Sequence, residues 1–274
     1  MFRFFAAATV LASLIAASAF GADVDETEWK NKVTAGMRAA GAHDYAKSEQ
    51  ELVKALHEAQ RFGALDARVG TTLNSLGLVY RAEKKYGDAE ASYRRALIII
   101  QSMYGDSTDT ANVNFNIAGV MLEEGHQAEA LPYIVKTLAT YERLFGSNSE
   151  KTAAALCMQG DAYRALKRFQ EAEGPLHRCG DIREAVHGLY NSEVADALYS
   201  LAVVYVAEGK ASAAEPRFKL VEQIREKTAG ITSPLLAQTM EEHAAVLKSL
   251  GRDDEAAKLS RVAEAIKKSE AKGK

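Results

Sequence analysis

Apolar residues recur along most of the chain at the spacing of one helical face, and short polar breaks separate the faces. The clearest example begins near residue 66, where the first face is formed by Leu73, Leu76, Gly77 and Tyr80. After the polar residues 83–85, a second face is formed by Ala89, Tyr93, Ala96 and Leu97. Positions i, i+3, i+4 and i+7 lie on one side of an α-helix. The pattern therefore predicts two helices joined by a short turn.

The two-helix pattern repeats with a period of 41 or 42 residues. Glycines mark the period at Gly105, Gly146, Gly188 and Gly230, and alanines mark it at Ala89, Ala130, Ala172, Ala214 and Ala256. Each glycine ends a helical pattern, where a left-handed backbone is needed. Three residues later stands a residue type that caps helices, at Thr108, Ser149, Asn191 and Ser233. A single helix pair cannot bury both of its faces, so successive pairs must stack.

The spacing Leu73-x2-Leu76-Gly77-x2-Tyr80, followed by Ala89-x3-Tyr93, resembles the tetratricopeptide repeat, with Leu73 where Trp is usual. The 42-residue period is similar to the kinesin-light-chain type of this repeat. This resemblance covers about residues 66–266 and implies an all-α fold, a right-handed α-solenoid of antiparallel helix pairs that forms a superhelix. It also implies that the first helix of each pair lines a concave groove, which is the usual binding face of such solenoids.

We expect the solenoid to span residues 29–266 with about six helix pairs, followed by a charged, frayed tail over residues 267–274. The pairs are predicted at about residues 29–63, 66–105, 106–146, 147–188, 189–230 and 231–266. The first and last pairs are atypical, as suits units that cover the open ends. Gln159 falls at a core position of the middle pair and must find hydrogen bonds there or weaken the seam. Pro132, Pro175 and Pro216 fall about two turns into second helices, so we expect a late helix start or a kink.

Residues 1–21 have the pattern of a secretory signal peptide. Arg3 is the only charge in this stretch, an apolar run follows it, and small residues end the run. Cleavage fits either after Ala19 or after Gly21, and residues 22–28 form a short linker. An uncleaved membrane anchor is the alternative, which we disfavour because the run is barely long enough and rich in alanine. We expect a mature chain that spans no membrane and is exported to the bacterial periplasm or outside the cell.

Composition and charge exclude some function classes. Lys and Arg number 34 and Asp and Glu number 37, which gives a net charge of −3. This near-balance argues against a nucleic-acid binder, which would show a basic excess. Charged residues make up 26% and hydrophobic residues 47%, as in folded proteins and unlike disordered chains.

Cys157 and Cys179 fall on the two helices of one predicted pair. Export favours oxidation, and neighbouring antiparallel helices can be bridged when the Cα atoms lie about 4.4–6.8 Å apart. The repeat phase places Cys179 between the helices, whereas Cys157 leans toward the inner surface. Because this facing is imperfect, we favour two separate thiols and keep a disulfide as the alternative.

Catalytic and metal-binding chemistry is sparse in the sequence. His177, Cys179 and His187 do not converge as zinc ligands do. The sequence contains no His-Glu-x-x-His, no phosphate-binding loop and no nucleophile elbow. We therefore predict no catalytic residue, no metal and no cofactor, and we expect that the protein is not an enzyme. An enzyme that uses Asp161, His177 or Cys179 in the groove is a less favoured alternative.

The repeat phase, counted from Gly77, places mixed polar and aromatic residues on the groove. They are Asn74, Arg81, Asn112, Phe115, Asn116, Asp161, Arg164, Asp196, Tyr199, Glu241 and Lys248. Asn amides can bond a peptide backbone, and Arg and Tyr are common interface anchors. We therefore expect an exported scaffold that binds a protein or peptide partner. The alternatives are solvated helix faces, or self-association through the apolar residues 97–100, for which an extended core seam is the favoured explanation.

Overall fold

The computed structural model describes residues 26–272, in which all regular structure is helical. Its twelve helices are α1 (Thr27–Gly41), α2 (Tyr45–Gln60), α3 (Ala67–Ala82), α4 (Tyr86–Tyr104), α5 (Thr108–Glu123), α6 (Gln127–Phe145), α7 (Glu150–Ala165), α8 (Phe169–His187), α9 (Ser192–Ala207), α10 (Ala211–Ala229), α11 (Pro234–Ser249) and α12 (Asp253–Lys272). The described residues contain no strand. The prediction of an all-α fold built from successive helix pairs is confirmed. The predicted signal peptide lies outside the described residues.

The helices form two compact units, with the division between Glu124 and Gly125. In the first unit, α1 packs on α2, α3 packs on α4, and both α2 and α4 also contact the first helix of the next pair. In the second unit, α7 packs on α8, α9 on α10 and α11 on α12, again with contacts from each second helix to the following first helix. Turns of only three residues join the two helices of a pair, which makes them antiparallel.

Helix lengths repeat along the chain. First helices α3, α5, α7, α9 and α11 each have 16 residues. Second helices α4, α6, α8 and α10 each have 19 residues. Each of these second helices ends at a glycine of the predicted series, with positive φ at Gly105 (58°), Gly146 (86°), Gly188 (77°) and Gly230 (87°). The predicted glycine stops are confirmed.

The predicted N-caps are partly confirmed. The side chains of Ser149 and Asn191 accept backbone N–H bonds at the starts of α7 and α9. Ser233 occupies the N-cap position of α11, but its side chain makes no capping bond. Thr108 was the wrong choice for α5, because Ser107 is the cap and Thr108 is already helical. The loop from Gly105 to the cap is one residue shorter than the loops after the later glycines, so the cap follows two residues after the glycine and not three.

The expectation of a late helix start at the three prolines is wrong. Pro132, Pro175 and Pro216 each lie inside a second helix that begins five or six residues earlier and continues past them. There is therefore no late helix start at any of the three. The predicted tail is corrected as well, because α12 extends to Lys272 and includes most of it.

Small residues let the helices of a pair approach closely. A Cβ atom built on Gly77 of α3 would lie 2.5 Å from Cε1 of Tyr93 on α4, so the buried tyrosine ring occupies the space that glycine leaves. Ile100 fills a similar space beside Gly70. In the apolar run of residues 97–100, Ile99 and Ile100 are buried and Ile98 is 66% exposed. The run therefore serves mainly as core.

Successive pairs are also joined by a recurring polar contact. On α8, Glu173 accepts hydrogen bonds from the Tyr205 hydroxyl at 2.9 Å and from Lys210 Nζ at 3.0 Å, both in the next pair. These partners hold the pKa of Glu173 below its usual value, with the Lys210 bond as the largest cause. Glu49 in the first unit accepts equivalent bonds from Tyr80 and Lys85, each at 3.2 Å.

No helix among residues 26–272 combines the length and apolar character needed to cross a membrane.

Candidate partner-binding face

The eleven predicted groove residues all lie on first helices, and we call them the first-helix row. In the first unit they are Asn74 and Arg81 on α3, and Asn112, Phe115 and Asn116 on α5. In the second unit they are Asp161 and Arg164 on α7, Asp196 and Tyr199 on α9, and Glu241 and Lys248 on α11. Each unit's part of the row is described by itself.

Two amides of the first unit bond each other. The Nδ2 atom of Asn116 donates to Oδ1 of Asn74 at 2.9 Å, and the two residues are only 9% and 8% exposed. The bond links α3 to the following first helix, α5. The repeat phase predicted that both amides lie on the groove, but it could not predict that they bond each other. They are structural links here, with little surface left for a ligand.

Arg81 is similarly engaged within the first unit. Its Nε and Nη2 atoms donate to Oε1 of Glu123 at 3.1 and 2.7 Å. The guanidinium lies over Gly119, where an added Cβ would be 2.8 Å from Nη1. The absence of a side chain at Gly119 makes room for this link. Sequence reasoning missed Glu123, although its position on the next first helix suits a partner for Arg81.

Asp161 and Arg164 form one polar group on α7. The Nε and Nη2 atoms of Arg164 lie 3.3 and 3.2 Å from Oδ1 of Asp161, and the hydroxyl of Ser200 on α9 donates to the same oxygen at 2.9 Å. The Arg164 side chain remains 36% exposed. This part of the row is therefore ordered by internal bonds while it still presents a cation to solvent.

A buried arginine on α10 supports the next part of the row. Arg225 is 5% exposed, and its Nη2 atom donates to Oδ1 of Asp196 at 3.2 Å. Its Nη1 atom donates to the Leu235 carbonyl at 3.0 Å and also to the Thr239 hydroxyl. The guanidinium carbon lies 4.6 Å from the centre of the Tyr199 ring, a cation–π geometry. The buried Arg225 thus holds two row residues, Asp196 and Tyr199, in place.

Sequence reasoning missed Arg225, although a signal was present. Arg183 stands 42 residues earlier, on α8, and its Nη1 atom donates to the Glu193 carbonyl at 3.2 Å, just as Arg225 bonds Leu235. An arginine that recurs at the repeat period near the end of a second helix indicates a structural bond to the next first helix.

Tyr199 is held by polar groups at its outer end. Its hydroxyl donates to Glu242 and accepts from Nε2 of Gln238 at 2.8 Å. Burial raises the pKa of Tyr199, and the Glu242 carboxylate adds to this, so the phenol stays neutral at physiological pH. Asp196 beside it has a side chain that is 61% exposed. An aromatic ring and an accessible carboxylate therefore lie together on α9.

The last first helix carries the remaining two row residues. Both carboxylate oxygens of Glu241 accept from Nζ of Lys267 on α12 at 2.6 Å. Lys248 is exposed and lies in the last turn of α11. Of the two, Lys248 therefore presents the more accessible charge.

The two cysteines are joined by a disulfide between α7 and α8, with their Cα atoms 5.4 Å apart. The preference for separate thiols was wrong, because repeat phase gives the direction of each side chain but not the spacing of the two helices. Cys179 is fully buried by this bond. Neither sulfur is available as a metal ligand or as a nucleophile, which weakens the enzyme alternative and the triad of His177, Cys179 and His187.

One group of side chains in the second unit has ligand types that metals use. Donor atoms of Glu150, His187 and Glu193 all lie within 4.8 Å of one another. The Arg183 guanidinium lies in the same group, with its Nε atom 3.4 Å from a Glu193 carboxylate oxygen and 3.9 Å from one of Glu150. Because a cation already opposes these carboxylates, the group is an ion-pair network. His177 lies apart from it and pairs with Asp181 at 2.8 Å.

Comparison with known protein families supports the repeat that the sequence predicts. A family model described as tetratricopeptide repeat matches residues 68–143 and 109–185. Together the two matches span residues 68–185, across four complete helices from α4 to α7 and most of α3 and α8. A search of curated protein sequences gave no match.

Solved structures give the same result for the fold. BtubC (BKLC) from P. vanneervenii is 21% identical, with a TM-score of 0.71 over 83% of this chain and 92% of that one. A putative kinesin light chain with TPR-like repeats from Podosopora anserina is 20% identical, with a TM-score of 0.63 over 73% and 95%. A Rap protein complexed with Competence and Sporulation Factor is 18% identical, with a TM-score of 0.58 over 92% and 78%. At these identities the likeness shows a shared fold.

Proposed function

We propose that this chain, a tetratricopeptide-repeat protein by its match over residues 68–185, is an exported scaffold that binds a protein or peptide partner through the first-helix row of its second unit. The observation that carries the proposal is the surface at Asp196 and Tyr199. An exposed carboxylate and a half-buried aromatic ring stand together there, held in place by the buried Arg225. A pre-ordered surface of this kind loses little conformational entropy on binding.

The first unit contributes less to this surface. Asn74 bonds Asn116, and Arg81 bonds Glu123, so these side chains would have to break internal bonds to reach a partner. In the second unit, Arg164, Asp196 and Lys248 all present charge to solvent. We therefore place the binding surface on α7, α9 and α11. The Rap protein with the same fold was solved with a bound factor, which supports a binding role for such repeats.

The proposal includes export. The pattern of residues 1–21 supports a secretory signal, and the disulfide between Cys157 and Cys179 suits an oxidising compartment. A non-catalytic role is supported by the repeat fold and by the pairing of Asp161, His177 and Cys179 with groups inside the chain. Nothing in this role requires a nucleic acid, a metal or a cofactor.

Site-specific photocrosslinking in the native compartment tests the binding surface. A photoreactive amino acid replaces either Arg164 or Lys248, which are exposed members of the row. The matched controls carry it at Lys219 or Gln223, exposed positions on the second helix α10. We expect the two row positions to give the same adduct and the controls to give none. No adduct at the row, or the same adduct at all four positions, would contradict the proposal.

A further inference from the structure

Four side chains on two first helices of the second unit form a polar group, which we call the acceptor cluster. They are Asp196 and Tyr199 on α9 and Gln238 and Glu242 on α11. The Tyr199 hydroxyl donates to Oε1 of Glu242, and Nε2 of Gln238 lies 2.8 Å from the tyrosine oxygen and 3.3 Å from that carboxylate oxygen. The buried Arg225 adds Asp196 to the group, because it bonds Asp196 and lies over the Tyr199 ring. The cluster is therefore ordered before a partner binds.

The donors of the acceptor cluster are already used inside the protein. The hydroxyl hydrogen of Tyr199 is donated to Glu242. The amide nitrogen of Gln238 donates to the Tyr199 oxygen and to Glu242. Ionised carboxylates have no hydrogen to donate. An incoming group that needs a donor would therefore have to break one of these internal bonds.

Three acceptor atoms of the cluster stay open. Among the described residues, no donor bonds Oδ2 of Asp196, Oε1 of Gln238 or Oε2 of Glu242. Asp196 and Gln238 are exposed, and Glu242 is partly buried. Ammonium and guanidinium groups carry several donors and no acceptor. The open hydrogen-bonding capacity of the cluster thus matches a cationic group and not an anionic one.

The charges of the cluster favour the same kind of ligand. Asp196 is paired with Arg225 at 3.2 Å. Glu242 accepts from the neutral Tyr199 and Gln238, and no cation in the described part of the chain pairs with it. One negative charge is therefore left without a counter-charge. A bound cation would neutralise it, whereas an anion would add a second like charge.

Apolar surface beside the cluster suits the stem of a long cationic side chain. Val203 lies one helical turn beyond Tyr199 on α9, and both are partly buried against the same apolar core. Ala245 is exposed one turn beyond Glu242 on α11. Lysine and arginine bury their methylene stems along apolar surface while the charged end stays with polar groups.

We propose that the acceptor cluster takes the side chain of a lysine or arginine residue, so that the partner binds the second unit through a basic segment. This inference rests on the proposed function and names the chemistry of the partner at that surface. The cationic group donates to the open oxygens of Asp196, Gln238 and Glu242. The stem of the side chain lies beside the Tyr199 ring.

Short peptides test the inference on the oxidised full-length mature protein, labelled with ¹⁵N for NMR at low ionic strength. The probes are acetyl-Gly-Lys-Gly-amide and its arginine counterpart, with norleucine and glutamate peptides of the same length for comparison. We expect both basic peptides to give saturable shifts that include the Gln238 side-chain amide. The norleucine and glutamate peptides should bind at least about tenfold more weakly, because they lack the donors and the positive charge.

Two variants each remove one negative charge and keep the shape of the cluster. Asp196→Asn keeps an oxygen that accepts from Arg225. Glu242→Gln keeps an oxygen that accepts from the Tyr199 hydroxyl. We expect each variant to weaken binding of the lysine peptide about tenfold and the double variant to abolish it. Circular dichroism shows whether the variants keep the helical fold of the wild type.

Glu184→Gln is the matched control, because it removes the same charge at an exposed position on the second helix α8. It should bind the lysine peptide as the wild type does. Equal binding of the lysine and norleucine peptides would overturn the inference. So would lysine binding that the folded Asp196→Asn and Glu242→Gln variants keep, or that Glu184→Gln loses to the same extent.

This test and the photocrosslinking test fail independently. If a partner adduct forms at the row but the basic peptides do not bind, the basic segment is wrong and the proposed function stands. If the lysine peptide binds at the cluster but no adduct forms at the row, the cation site stands and the proposed function is contradicted.

Discussion

Arg225 shows how a single side chain can order a surface from inside the fold. Its guanidinium is buried, and its bonds reach Asp196 on α9 and Leu235 on α11. Its Nε atom has no hydrogen-bond partner among the described residues. A buried charge with an unfilled donor costs free energy. The bonds to two helices and the contact with the Tyr199 ring offset that cost locally.

We predict that Arg225→Met lowers the free energy of unfolding by about 2 kcal/mol. The variant keeps much of the side-chain volume but loses the bond to Asp196 and the contact with Tyr199. The cost stays moderate because the Asp196 carboxylate is mostly exposed and can be solvated. Urea unfolding followed by circular dichroism measures the change.

Arg261→Met on α12 is the control for Arg225→Met, because Arg261 is exposed. It should change the unfolding free energy by less than about 0.5 kcal/mol. Equal stability of the two variants would show that Arg225 does not support the row.

Among the single links between helices, we expect the disulfide between α7 and α8 to contribute most to the free energy of unfolding. We predict that replacing both Cys157 and Cys179 by Ala lowers the free energy of unfolding by about 3 kcal/mol, as expected for a closed stretch of 22 residues. Calorimetry or chemical denaturation of the purified variant measures this. A reducing agent should lower the stability of the wild type by a similar amount and leave the double variant unchanged. An effect of the reducing agent on both would contradict the assignment.

The contact between α8 and the following pair gives a pH-dependent prediction. The pKa of Glu173 is lowered in the folded state because Lys210 and Tyr205 donate to it. A lowered folded-state pKa gives stability that is present above the unfolded pKa and is lost as pH falls through the folded pKa. We predict that Glu173→Gln is less stable than the wild type near neutral pH by less than about 1 kcal/mol. The difference should shrink as the pH falls below the unfolded glutamate pKa of about 4.3 and through the lower folded-state pKa.

Unfolding midpoints measured across this pH range test the Glu173 prediction. Glu184→Gln lies on the same helix at an exposed position and serves as the control. Its difference from the wild type should not follow the same pH profile. A Glu173→Gln difference that grows as the pH falls would have the wrong sign for a bonded carboxylate.

At the scale of the whole chain, periodic features could be predicted from the sequence and pairwise contacts could not. The glycines at 105, 146, 188 and 230 predicted the ends of second helices because the left-handed backbone is a local requirement. The bond between Asn74 and Asn116 depends on how two first helices pack. So does the disulfide, whose formation depends on a 5.4 Å Cα separation that repeat phase does not supply.

The candidate site likewise contains residues that could be predicted from the sequence and residues that could not. Repeat phase placed Tyr199 and Asp196 on one first helix, and the structure places both beside Arg225. Arg225 itself was missed because a polar residue on a second helix is usually solvated, and only its recurrence at Arg183 distinguishes it. The sequence also singled out Gln159 as a polar residue at a core position, and in the structure this residue on α7 is only partly buried.

Export is the prediction that concerns the whole molecule. When the full sequence is expressed in a bacterium, we predict that the chain accumulates in the periplasm or medium without residues 1–19 or 1–21. The charged start and small-residue ending of the segment supply the signal, and an oxidising compartment allows Cys157 to bond Cys179. Intact-mass measurement of the fractionated protein, with and without a reducing agent, reports both cleavage and oxidation. As a control, a charge in the apolar run, as in Leu14→Arg, should keep the full-length chain in the cytoplasm with both thiols reduced. Recovery of the unprocessed wild-type chain in the cytoplasm would contradict export and would remove the oxidising environment that the disulfide needs.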